Sequence, residues 1–315
     1  MCCAMAERYN AVVISPHLDD AVFSCAGEIA ALLRDGPVLV LNLFTRYLAD
    51  VKIRGVVLGE ERYQEENDAA RFLGYESRNL GELDVTFRRE PYHRLGNIFR
   101  PPIAEDLAWL PDLRGKIFDI LAGLDFDRVY VPLGIGWHVD HVLTHLVFET
   151  WPDKACLHYY EDTPYALIPH ASRYRLAELG QAHGAAGDTS LAPLNETVAW
   201  WQAASAYGNT ALMRNLTPWI VRRSAVPVVA YYLHRLMALH RRLARGAPAR
   251  AWTSRIRELD EAALTHKIEA MALYRSQFRE FFSDREDCRH SLTDYASRIQ
   301  PGVQAAERYW RPEAT

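Results

Sequence analysis

The sequence predicts an α/β protein: a mostly parallel sheet flanked by helices, followed by a mainly helical C-terminal elaboration. Three observations predict it. Short β-branched runs, AVVIS at Ala11 to Ser15, PVLVLNL at Pro37 to Leu43 and RVYVP at Arg128 to Pro132, are predominantly apolar, as strands buried on both faces are. Segments with apolar residues at helical spacing separate them. After about residue 165 the strand signals thin out. Strands alternating with helices imply right-handed βαβ units, so the core is expected to be Rossmann-like.

The first strand, Ala11 to Ser15, leads into a helix over Asp20 to Leu33. Gly36 stops that helix, and Pro37 to Leu43 is the second strand. Glu60 to Leu73 reads as an amphipathic helix ended by Gly74. A third strand is expected within Arg78 to Asp84, then a helix over Leu107 to Leu124 interrupted at Pro111. Arg128 to Pro132 is the next strand, Val139 to Trp151 a helix, and Ala155 to Tyr160 a further strand. Beyond these, His170 to Ala192 reads as a helix and loops. Trp252 to Phe282 reads as a long helical pattern, and Gly246 to Arg250 as a linker. The segment Pro227 to Arg245 mixes apolar and basic residues. It is expected to pack its apolar face on the core with its arginines solvated, in preference to lying on a membrane surface. The division expected is a catalytic core over 1–165 and an elaboration over 166–315, packed on it and completing the substrate pocket, within one compact domain.

At 315 residues the chain can bury a large core unaided. A formal charge of −4 gives no electrostatic reason to expect a nucleic-acid partner. No apolar run approaches the roughly 18 residues of a spanning helix, so no stable membrane insertion is expected. The start MCCAMAERYN lacks the apolar run of a signal peptide, which points to the cytoplasm. The five cysteines form neither a disulfide framework nor a CxxC pair. A small-molecule substrate is the expected partner, and a homo-oligomer is compatible with everything above.

Two clusters carry chemistry. The first, Ser15-Pro16-His17-Leu18-Asp19-Asp20, directly follows the first strand, and ligands of open α/β sheets gather at the carboxyl ends of strands. His17 and Asp20 are three apart at a strand-to-helix turn, close enough to share a metal ion, with Asp19 free to face a bound water. A helix cap explains one aspartate there, but not a histidine and two aspartates together. The second, GIGWHVDHVLTH over Gly134 to His145, follows the strand ending at Pro132. On a helix starting near Val139, His138, His141 and His145 fall roughly on one face. Zinc accepts imidazole nitrogens and carboxylate oxygens readily. Spacing alone leaves open which of the three histidines is the ligand.

Together the clusters resemble the LmbE/PIG-L family of zinc deacetylases. Pro16-His17-Leu18-Asp19-Asp20 matches its P-H-x-D-D strand end and His138-Val139-Asp140-His141 its H-x-D-H. Weaker likenesses are Arg62 and Glu66 in ERYQEENDAARFLG, the YYEDTPY segment ending at Tyr165, Lys267 with Tyr274 to Gln277, and Glu307 to Trp310. The resemblance implies His17, Asp20 and His141 as metal ligands, Asp19 as general base, His138 as oxyanion stabiliser and Asp140 as the group that orients a histidine. It implies zinc, with another divalent metal such as Fe2+ as the alternative. Leu18 and Ala21 depart from the common HPDDE form without removing a ligand. Arg62, Asp84 and Trp137 are the candidate substrate-binding residues.

The expected reaction is hydrolysis of an N-acyl amino sugar or sugar-bearing metabolite. The alternative is an amidase for a non-sugar substrate, such as a thiol conjugate or a peptide-type natural product. A binding protein with a relict metal site is disfavoured because every catalytic position is filled. A dinucleotide-dependent oxidoreductase lacks the GxGxxG after its first strand.

Overall fold

The computed structural model describes residues 6–48, 59–94, 97–181, 231, 234–235, 238 and 250–313. The segment Pro227 to Arg245, the linker Gly246 to Arg250 and the part of His170 to Ala192 beyond residue 181 lie almost wholly outside the described residues.

Seven strands form one sheet: β1 (Glu7–Ser15), β2 (Val38–Asn42), β3 (Glu76–Asn79), β4 (Leu124–Pro132), β5 (Leu157–Tyr160), β6 (Trp252–Leu259) and β7 (Ala305–Pro312), in the order β3-β2-β1-β4-β5-β7-β6. The run β3 to β5 is parallel; β7 joins β5 antiparallel, and β6 pairs β7 antiparallel from Trp252↔Pro312 to Leu259↔Ala305. The mostly parallel, helix-flanked sheet is the one the sequence predicts.

The β-branched runs lie at its centre, where alternate residues serve opposite faces. Val12 and Ile14 of β1 enter one core with Leu113, Ile117 and Leu121 of α4 (Ala104–Ala122) and Leu143 and Val147 of α5 (Val139–Phe148). Ala11 and Val13 enter the other with α1 (Asp20–Leu32), α2 (Glu60–Leu73) and α7 (Glu261–Ala272). Further helices are α3 (Val85–Arg88), α6 (Ala171–Glu178), α8 (Arg275–Phe281) and α9 (Arg285–Ile299). Among the described residues no helix is long and apolar enough to cross a membrane.

Three elements differ from expectation. The third strand lies earlier, at Glu76–Asn79. Pro111 does not interrupt α4, which runs through it; Leu113, Ile117 and Leu121 are buried on the sheet, and their packing holds the helix together despite the lost amide donor. Trp252–Leu259 is a strand, not the start of a helix, because it finds eight backbone partners on β7. The elaboration therefore widens the sheet as well as covering it.

Candidate active site

The carboxyl ends of β1 and β4 are adjacent, so the two clusters meet although more than 100 residues separate them. After β1 the chain turns at Ser15, whose hydroxyl donates to the His17 carbonyl (2.5 Å) and accepts from the Ala21 amide (3.0 Å). Asp20 opens α1, and its Oδ2 accepts from the His17 amide at 2.8 Å. After β4 the turn requires glycine. Gly134 and Gly136 have φ of 83° and 85°, and a Cβ on Gly136 would meet the Tyr165 ring at 2.3 Å.

His17, Asp20 and His141 converge. Asp20 Oδ2 lies 3.1 Å from His17 Nδ1 and 3.2 Å from His141 Nε2. Ligand atoms of His17, His138 and His141 lie within 4.8 Å of one another, all three residues being buried. Burial opposes the charge on Asp20, but His141 and His17 outweigh it and hold the carboxyl well below the usual range. The far nitrogen of His141, Nδ1, is 2.6 Å from Asp162 Oδ1. Asp162 is itself fixed by the amides of Gly134 and Ile135 at 2.8 and 2.9 Å. Burial lowers the proton affinity of His141, and Asp20 and Asp162 more than reverse this, raising it to about 9. Two imidazoles and one carboxylate, each buried and aimed at one point, fit a zinc or ferrous ion. Each histidine also has a carboxylate on its second nitrogen, as metal-bound histidines usually do.

Asp19 lies beside this centre with Oδ1 3.2 Å from Arg62 Nη2. Burial raises its proton affinity, with the Arg62 charge opposing. His138 packs edge-on against His17 and His141, ring centroids 4.8 and 5.2 Å away, and its Nδ1 has no hydrogen-bond partner among the described residues. Burial, reinforced by the charges of His17 and His141, holds it neutral. Asp140 reaches His17: its Oδ2 lies 3.2 Å from His17 Nε2 and accepts from the Val85 amide at 2.9 Å.

Of the candidate substrate residues, Arg62 is at the site. Asp84 has two tasks: Oδ1 caps α3 through the Thr86 amide (2.8 Å) and hydroxyl (2.5 Å), while Oδ2 lies 3.5 Å from His17 Nε2. Trp137 is buried with φ 57°, and its indole N–H donates to the Glu178 carboxylate of α6 at 2.8 and 2.9 Å. His145 is not at the centre; its Nδ1 faces the Pro132 carbonyl at 3.3 Å and its ring packs on Tyr159.

A small cleft beside Asp19 is lined by Leu18, Phe44, Thr45, Tyr47, Arg62 and Tyr63. Arg62 Nε and Thr45 Oγ1, both buried, have no partner there. Thr45, Asp162 and Glu280 were not singled out in the sequence. Asp162 lies in the YYEDTPY segment that carries the family likeness. Glu280 is half-buried in α8, and its carboxyl is pushed up to about 7 by burial and the charge of Asp19, with Arg62 opposing.

Residues 12–151 match the profile of the PIG-L family, described as GlcNAc-PI de-N-acetylase. Over those residues the chain is similar to the PIG-L family. A curated relative, the 2'-N-acetylparomamine deacetylase of Streptomyces fradiae, is 31% identical over 172 residues, 51% of this chain. The match spans 59% of that relative's length. Among solved structures, the zinc-inhibited form of a teicoplanin deacetylase superposes with a TM-score of 0.60 at 17% identity, over 98% of each chain. A pseudoaglycone deacetylase superposes at 0.56 and 19% identity, again over 98% of each. These superpositions establish a shared fold, so the parallel core and the C-terminal strands together form an arrangement other proteins share.

Proposed function

We propose that the protein is a metal-dependent N-deacetylase that hydrolyses the acetamide of an amino sugar or sugar-bearing metabolite. The observation that carries this reading is the position of Asp19: a buried carboxylate, paired with Arg62, beside three convergent metal donors. The PIG-L match and the paromamine-type relative support the substrate class.

In this reading His17, Asp20 and His141 hold the metal. A zinc ion bound there lowers the pKa of a water to about 7 and polarises an amide carbonyl. Asp19 accepts a proton from the attacking water as the new C–O bond forms. His138, held neutral, donates an N–H to the oxyanion, a contribution of roughly 3 kcal/mol for a well-aimed donor. As the C–N bond breaks, Asp19 returns the proton to the leaving amine, giving acetate and a free amino sugar. Asp140 holds the ring of His17.

Arg62 and Asp84 bind the sugar, and Trp137 forms part of the wall, with residues 166–315 completing the pocket. The unpartnered Arg62 Nε and Thr45 Oγ1 suit a substrate hydroxyl, which can accept from one and bond to the other. Asp19, Asp84 and Asp20 surround the Arg62 charge, which favours a neutral group there over an anion.

The test is a panel of 2'-N-acetylparomamine, N-acetylglucosamine conjugates, N-acetyl amino acids and N-acetyl peptides, with released acetate measured. Turnover confined to the sugars supports the reading. Turnover of amino acids or peptides alone replaces it with the amidase reading, and metal-free enzyme that keeps full activity rejects a metal-dependent mechanism.

A further inference from the structure

Arg88, on the short helix α3, belongs to neither cluster, yet its guanidinium joins two fully enclosed carboxylates. Nη1 lies 2.7 Å from Asp140 Oδ1, and Nε lies 3.1 Å from Asp106 Oδ1. Asp106 and Asp140 are both 0% exposed. Nη1 also donates to the Leu83 carbonyl at 3.0 Å. The rings of Phe44 and Trp109 stand 5.4 and 5.3 Å from the guanidinium carbon. Asp106 is fixed in turn by Arg89 Nε at 3.1 Å and by the Tyr92 hydroxyl. A continuous line therefore runs from Asp106 on α4, through Arg88, to Asp140 and on to Nε2 of His17.

We propose that Arg88 is a positioning residue for the metal centre: by fixing the Asp140 carboxylate it fixes the ring of His17, and so sets the affinity for zinc. This rests on the metal reading above. A ligating histidine donates its second N–H to a carboxylate, and that bond sets the tautomer and the ring plane. Asp140 serves His17 in this way only while its carboxylate is held. The Val85 amide holds one oxygen and Arg88 the other. The planar guanidinium can engage Asp106 and Asp140 at once through different nitrogens. A lysine ammonium at the same place lacks that fork. Removing the support of a metal-bound histidine typically weakens metal binding 10- to 100-fold.

The experiment measures the zinc dissociation constant by competition with a chromophoric chelator in wild type, Arg88→Lys and Arg88→Met, with circular dichroism as the check on folding. The expected result is binding weakened about 10- to 100-fold in Arg88→Met, a smaller loss in Arg88→Lys, and recovery of Arg88→Met by guanidinium ion at non-denaturing concentration. Unchanged zinc affinity in either folded variant overturns the proposal. Should Arg88→Met fail to fold, Arg88→Lys decides on the same criterion. Wild type that binds neither zinc nor ferrous ion overturns the metal reading and the role of Arg88 with it. Tight wild-type binding with an unaffected Arg88→Lys overturns the role of Arg88 alone.

Discussion

Asp19 and Asp20 are neighbours in sequence with opposite electrostatic fates. Asp20 meets two imidazoles and is held ionised, which suits its proposed role as a ligand; Asp19 meets one guanidinium in a buried setting that raises its proton affinity, which suits its proposed role as the base. Asp19→Asn keeps the shape and removes the base. It should retain stoichiometric metal, read by elemental analysis, while turnover falls about 10²- to 10⁴-fold; a variant that loses its metal instead would make Asp19 a ligand. Glu280 allows a test of sign. Its folded-state carboxyl titrates at about 7, against about 4.3 in an unfolded chain. The folded state therefore holds the proton more tightly, and this group's contribution to stability is present below the unfolded value and lost as pH rises through about 7. Metal-free Glu280→Gln should melt higher than metal-free wild type at pH 8, with the difference shrinking towards pH 5. An equal difference at both pH values would mean that the charge on Glu280 is not the cause.

At the scale of elements, β7 is bolted to the core by charges. Glu307 of β7 accepts from Lys267 of α7 at 2.7 Å and from the amides of Gly27 and Glu28 of α1 at 2.8 Å each, with both charged side chains 2% exposed. Lys267→Met leaves that carboxylate buried without its cation, so a loss of about 3–5 kcal/mol is expected from urea unfolding, with zinc affinity unchanged. A loss below about 1 kcal/mol, the range of a surface pair, would show that the backbone amides suffice. The same charges explain why β7 was hidden in the sequence. Its strand AAERYWRP is buried along nearly its whole length, but Glu307 and Arg308 break the apolar run, and Arg308 is buried only because Glu161 meets it at 2.7 Å. In β6, Trp252, Ile256 and Leu259 happen to fall at helical intervals, and only the pairing with β7 decides for a strand. The central strands and α1, α2 and α5 were legible because their patterns are local and apolar. The proposed ligand triad could be named from the sequence because each half sits whole on one strand end. Arg88 and Asp106 could not, because what gives them a role is contact through space with Asp140.

For the whole molecule, the proposed metal centre would act as a cross-link. His17 and Asp20 come from the turn after β1 and His141 from α5 after β4, so an ion held by the three would tie together segments far apart in the chain at the middle of the sheet. An ion that binds this assembled centre and not the unfolded chain stabilises by mass action, about 2.7 kcal/mol when free metal is 100 times the dissociation constant. The melting temperature of chelator-treated protein should therefore climb with the logarithm of added zinc once the site begins to fill. His141→Ala removes a ligand and should flatten that dependence, whereas His138→Ala, altering a ring assigned to the oxyanion, should leave its slope intact while activity falls. If instead His138→Ala flattens the curve and His141→Ala does not, the two histidines exchange roles: the ion would then be held by His17, Asp20 and His138, and His141, tied to Asp162, would be the ring facing the substrate.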